Sequence, residues 1–90
     1  MTADILIIDD EADIRELSSD ILKDAKYDTR VAHNSDFAFK ALAERVPSAI
    51  VLDIWLQGSE LDGLGILEMV KKKYPHIPVI MISGHGNIET

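Results

Sequence analysis

Ala49-Ile50-Val51-Leu52-Asp53 is a short, unalternated apolar run with β-branched residues that ends on a carboxylate. A run of this length and composition fits a parallel strand covered on both faces. Ile5-Leu6-Ile7-Ile8 has the same form and leads into Asp9-Asp10-Glu11, and Val79-Ile80-Met81-Ile82 leads into Ser83-Gly84. A weaker candidate, residues 27–32, alternates more and suits an edge.

Helical spacing fills the intervals. Ile14, Leu17, Ile21, Leu22 and Ala25 form one stripe, with Asp13 and Glu16 near its start. Asn34 or Ser35 can cap a second helix with the stripe Phe37, Ala38, Ala41, Leu42 and Val46, broken at Pro47. A third follows Asp62-Gly63, carries Leu64, Leu67 and Val70, and stops before Pro75; residues 87–90 read as the first turn of another. Strands alternating with helices imply an α/β fold, a doubly wound parallel sheet with right-handed crossovers. Ligands of such sheets sit at the carboxyl ends of the strands.

The bulk numbers agree with one soluble domain over residues 1–90, at 47% hydrophobic and 28% charged. Without cysteine, a disulfide framework or thiolate metal site is excluded. A net charge of −7 disfavours direct nucleic-acid binding. The sequence shows neither the basic flank of a signal peptide nor a membrane-length apolar run, so a cytoplasmic protein is expected.

Asp9 and Asp10, Asp53, and Ser83 fall at the ends of the first, third and fourth runs. If those strands are neighbours, three carboxylates and a hydroxyl converge. Crowded carboxylates repel and call for a cation, and oxygen-only ligation favours a hard ion, Mg²⁺. A carboxylate beside Mg²⁺ can act as a nucleophile toward phosphorus, here Asp53, with the Ser83 hydroxyl placed to bond a phosphoryl oxygen.

These residues, together with Asp62-Gly63, resemble the receiver domains of two-component response regulators over the whole chain. The resemblance implies a flavodoxin-like fold of strand order 2-1-3-4, Asp53 as phospho-acceptor and Ser83 as switch hydroxyl. It also implies Asp10 as direct Mg²⁺ ligand, Asp9 as its support, and the backbone carbonyl of Trp55 as a further ligand. The partner implied is a sensor histidine kinase, and the chain would be no enzyme beyond catalysing its own phosphorylation and dephosphorylation. Residues 53–63 and 81–90 resemble more particularly the NtrX branch, transcription regulators of nitrogen and redox responses paired with NtrY-type kinases. The family's fifth strand, with its lysine and aromatic switch residue, has no counterpart up to Thr90. Lys71, Lys72 and Lys73 belong to the third helix and do not supply that lysine. An incomplete domain is therefore expected, with the fourth strand as an apolar edge through which chains would homodimerise.

Two other functions fit less of the pattern. A Mg²⁺-dependent phosphohydrolase commonly carries a second Asp two residues past its nucleophile, where this chain has Trp55. A binding-only receiver-like domain would not need the full acidic set.

Overall fold

The computed structural model describes residues 3–82. Its elements run β1 (Asp4–Ile8), α1 (Ala12–Asp24), β2 (Asp28–Ala32), α2 (Ser35–Glu44), β3 (Ala49–Asp53), α3 (Gly63–Lys73) and β4 (Val79–Ile82). The strands form one parallel sheet in the order β2-β1-β3-β4. The α/β class, the doubly wound sheet and the order 2-1-3-4 are as expected, with β2 at one edge. Among the described residues β4 is the other edge.

Side-chain alternation divides the sheet into two faces. Leu6, Ile8, Ile50 and Leu52 meet Ala38 and Leu42 of α2 and Ile66 and Val70 of α3 in the main core. Leu56 and Ile77 close that core from the loops. The opposite face holds Ile5 and Ile7 and carries α1, whose Ser19 hydroxyl lies 2.6 Å from the Thr29 hydroxyl of β2. β1 is buried along its whole length, which is why its sequence shows no polar alternation.

Helix boundaries follow local chemistry. Asn34 caps α2 by accepting from the Phe37 amide at 3.0 Å, and Asp62 caps α3 by accepting from Gly65 at 2.9 Å. Lys71, Lys72 and Lys73 occupy the last turn of α3, where positive charge suits the carbonyl end of the helix.

Four of the expected packing faces, on α1, α2, α3 and β4, are corrected. Of the expected α1 stripe, Ile14 and Leu22 are half-buried as expected, but Leu17, Ile21 and Ala25 stand exposed while small Ser19 is buried. Phe37 and Leu64 also point outward while Phe39 and Ile66 pack inward, and Val46 lies beyond the end of α2. β4 is not covered on both faces. Val79 and Met81 pack on the core, but Ile80 on the other face is exposed, as no described helix lies over it. Among the described residues no helix is long and apolar enough to cross a membrane.

The end of the sheet away from the acidic residues is closed by a charge cluster. Arg30 of β2 grips the Asp4 carboxylate at 2.6 Å and donates to the Ala41 and Arg45 carbonyls at 2.8 Å each. Arg45 adds a longer contact to Asp4 of 3.4 Å. Burial pushes the Asp4 carboxyl up, but hydrogen bonds and charge from both arginines outweigh it and hold it below the ordinary 3.8. A depressed folded value means that this stabilisation is present above 3.8 and is lost as pH falls through the folded value. Arg30→Ala is expected to cost about 2–3 kcal/mol at neutral pH, less than a fully buried pair because Arg45 remains. Urea midpoints at neutral pH and at about pH 3 should show a shallower acid loss in the variant than in wild type.

Candidate functional site

The carboxyl ends of β1 and β3 are adjacent because those strands pair directly, with Ile8 opposite Leu52. Their next residues, Asp9 and Asp53, are each about 1% exposed, an unusual setting for carboxylates. Each uses the same local device. Asp9 Oδ1 accepts from the Glu11 amide at 2.9 Å, and Asp53 Oδ1 accepts from the Trp55 amide at 3.0 Å. This turn chemistry, typical of Asp, anchors the side chain on its own backbone two residues ahead. Arg15 of α1 reaches back to the Asp9 carbonyl at 2.8 Å and holds the corner.

Carboxylate oxygens of Asp9, Asp10 and Asp53 all lie within 4.8 Å of one another. Asp9 Oδ2 and Asp10 Oδ1 are buried and have no hydrogen-bond partner among the described residues. Two unpartnered buried carboxylate oxygens facing a third acid form a costly arrangement for protein alone. The same set suits a hard divalent cation, since all its donors are oxygens. The residues present therefore fit Mg²⁺.

Burial is the main cause that raises the Asp9 carboxyl above its ordinary 3.8, against the Glu11 amide and Arg15, with the charges of Asp10 and Glu11 adding to the rise. A raised folded value means the ionised form destabilises the fold, so the penalty sets in above the ordinary 3.8 and grows as pH rises through the folded value. Asp9→Asn keeps the oxygen that accepts from Glu11 and removes the charge. Its thermal midpoint without metal is expected to rise by about 5 °C at neutral pH. Mg²⁺ should stabilise wild type and leave the variant nearly unchanged; a midpoint at or below wild type without metal would contradict the electrostatic account.

Trp55 is largely exposed in the loop directly after Asp53. β4 ends at Ile82, opposite Asp53, and the Ile82 carbonyl accepts from the Ile54 amide at 2.8 Å. Ser83, His85 and the turn expected at 87–90 lie outside the described residues. His33 stacks on Phe37 at 4.6 Å between ring centroids, and His76 is a loop residue past α3.

The response regulator receiver domain model matches residues 5–90. The chain belongs to that family. An NtrX-like response regulator of Rickettsia bellii is 63% identical over 87 residues, covering 97% of this chain and 18% of the relative. The nitrogen assimilation regulatory protein NtrX of Azorhizobium caulinodans is 56% identical over 90 residues, all of this chain and 20% of the relative. The receiver therefore spans about a fifth of the length of these curated relatives. The crystal structure of the receiver domain of NtrX from Brucella abortus superposes with a TM-score of 0.88 at 54% identity, over 92% of this chain and 69% of that one. This receiver is thus of the NtrX type.

Arg15 is the residue at this corner that the sequence does not make legible. Arg15 sits six residues past Asp9, within reach only once α1 folds back over the strand end.

Proposed function

We propose that this receiver accepts a phosphoryl group on Asp53 from the phosphohistidine of an NtrY-like sensor kinase, with Mg²⁺, and so controls a transcriptional output. The reading rests on the convergence of Asp9, Asp10 and Asp53 within 4.8 Å, two of them with unpartnered buried oxygens. Asp10 and Asp9 would hold the ion together with Asp53 and the Trp55 carbonyl. Bound there, Mg²⁺ supplies charge neutralisation for the incoming phosphoryl oxygens. Asp53 attacks phosphorus with a carboxylate oxygen. The bond from phosphorus to the donor nitrogen breaks, and that nitrogen leaves with its electron pair. The Asp53 oxygen bonded to the Trp55 amide fixes the carboxylate plane during approach. Ser83 is the hydroxyl proposed to bond the transferred group.

The chain acts on itself rather than turning over substrate. A phosphohydrolase would need a general acid near Asp53, and the residue two positions on is Trp55. The binding-only reading remains the rival, and it is the outcome opposed in the test. That test is intact mass after incubation with Mg²⁺ and acetyl phosphate, wild type beside Asp53→Asn. A single phosphoryl adduct on wild type alone supports the proposal, and none on either supports binding only.

A further inference from the structure

The loop joining β3 to α3, residues 54–62, is anchored at three points. Leu56 is buried in the main core and Leu61 packs partly against it. Between them the chain swings out through Gly58, whose φ of 65° suits glycine, and returns at Ser59. There it meets the first residue of α2. Ser59 Oγ accepts from the Ser35 amide at 2.8 Å and donates to the Leu61 carbonyl at 2.7 Å. Ser35 Oγ in turn accepts from the Leu61 amide at 3.2 Å. Each hydroxyl thus bonds the other segment's backbone. Ser35 is about 2% exposed, so its amide has little access to water in place of Ser59.

Both sides of this clasp lead to the acidic cluster. On the α2 side, the Ala32 carbonyl just before the helix accepts from the Asp9 amide at 3.1 Å. On the loop side, Leu61 lies two residues before Gly63, which packs on the backbone of Asp53 and Ile54. Like charges on Asp9, Asp10 and Asp53 push the β1–α1 corner away from the β3–α3 loop. The serine clasp ties the β3–α3 loop to the start of α2, and the Asp9 amide ties the β1–α1 corner to Ala32 just before that helix, so the two links together oppose that push.

We infer that Ser35 and Ser59 are positioning residues, a reciprocal hydroxyl clasp that holds the loop carrying Trp55 in register with the Asp9-Asp10 corner for cation binding. This rests on the metal reading of the site proposed above. Neither serine touches the reacting atoms. Their effect passes through the backbone of residues 53–55.

Trp55 is the one tryptophan of the chain and reports directly. Mg²⁺ would be titrated into wild type, Ser59→Ala, Ser59→Thr and Asp10→Asn at a temperature where circular dichroism shows all four folded, reading Trp55 fluorescence. Ser59→Ala is expected to bind Mg²⁺ about tenfold more weakly, and Ser59→Thr, which keeps the hydroxyl, within about twofold of wild type. A merely structural serine would lower the unfolding midpoint without moving the Mg²⁺ constant. A saturable wild-type response shared unchanged by Ser59→Ala overturns the clasp and leaves the metal site standing. A wild type without a saturable response, or one that Asp10→Asn reproduces, overturns the metal reading and the clasp with it.

Discussion

Incubated with Mg²⁺ and acetyl phosphate, the wild-type chain is expected to gain one phosphoryl group, and Asp53→Asn none. The sixteen acidic residues of the chain make the comparison necessary, because only position-specific loss assigns the acceptor. Dependence on the cation should be steep. At the 4.8 Å limit between the carboxylate oxygens, each pair of unit charges repels by about 3–4 kcal/mol at an effective dielectric of 20. An anionic donor entering that cluster meets repulsion of this size from more than one acid. Omitting Mg²⁺ or replacing Asp10 by Asn should therefore slow the reaction by at least about a hundredfold. The two substitutions are distinguishable. Asp10→Asn retains the nucleophile and reacts slowly, whereas Asp53→Asn lacks it and gives no adduct at any time. An adduct on Asp53→Asn at the wild-type rate would remove Asp53 from its proposed role.

Much of this site was legible because parallel strands announce themselves. β1 is apolar without alternation since it is buried along its whole length, β3 is apolar throughout although Ala49 and Val51 are only half-buried, and the topology rule then points to the acids at their ends. Helix phase was less legible. Spacing shows that a stripe exists but not which neighbouring residues turn inward, so Leu17 and Ile21 looked like core while Ser19 faces the sheet. Least legible were contacts between segments distant in sequence. Arg30 on Asp4 spans 26 positions, and Ser59 on Ser35 spans 24, with no periodicity to betray either. Both pairs hold the ends of the sheet together, one at each end, and neither residue type is unusual for its local setting.

Gly63→Ala is expected to destabilise the receiver by about 3–5 kcal/mol, against a total of about 5–13 kcal/mol for a domain of this size. Intrinsic helix propensity argues the other way. Alanine near a helix start is favoured over glycine by up to about 1 kcal/mol, so a surface position would gain stability. The packing decides the sign. A Cβ at Gly63 would fall on the Asp53 carbonyl oxygen and within 2.8 Å of both the Cα and the carbonyl oxygen of Ile54. All three atoms are backbone, so no side chain can rotate aside, and α3 must lift from the strand end that carries Asp53. Gly65 is the control. A Cβ there meets Asp62 Oδ1 and the Leu61 side chain at 3.3–3.4 Å, contacts that small rearrangements relieve. Gly65→Ala should change stability by less than about 1 kcal/mol in either direction. Urea unfolding of the two variants beside wild type separates the accounts. A stabilised Gly63→Ala would mean that α3 does not rest on the Asp53 backbone, and the coupling of that helix to Asp53 would fall with it. The expected loss should carry a second signature. Gly63→Ala, where still folded, should bind Mg²⁺ more weakly than Gly65→Ala, because lifting α3 displaces the Asp53 and Ile54 backbone that leads to Trp55.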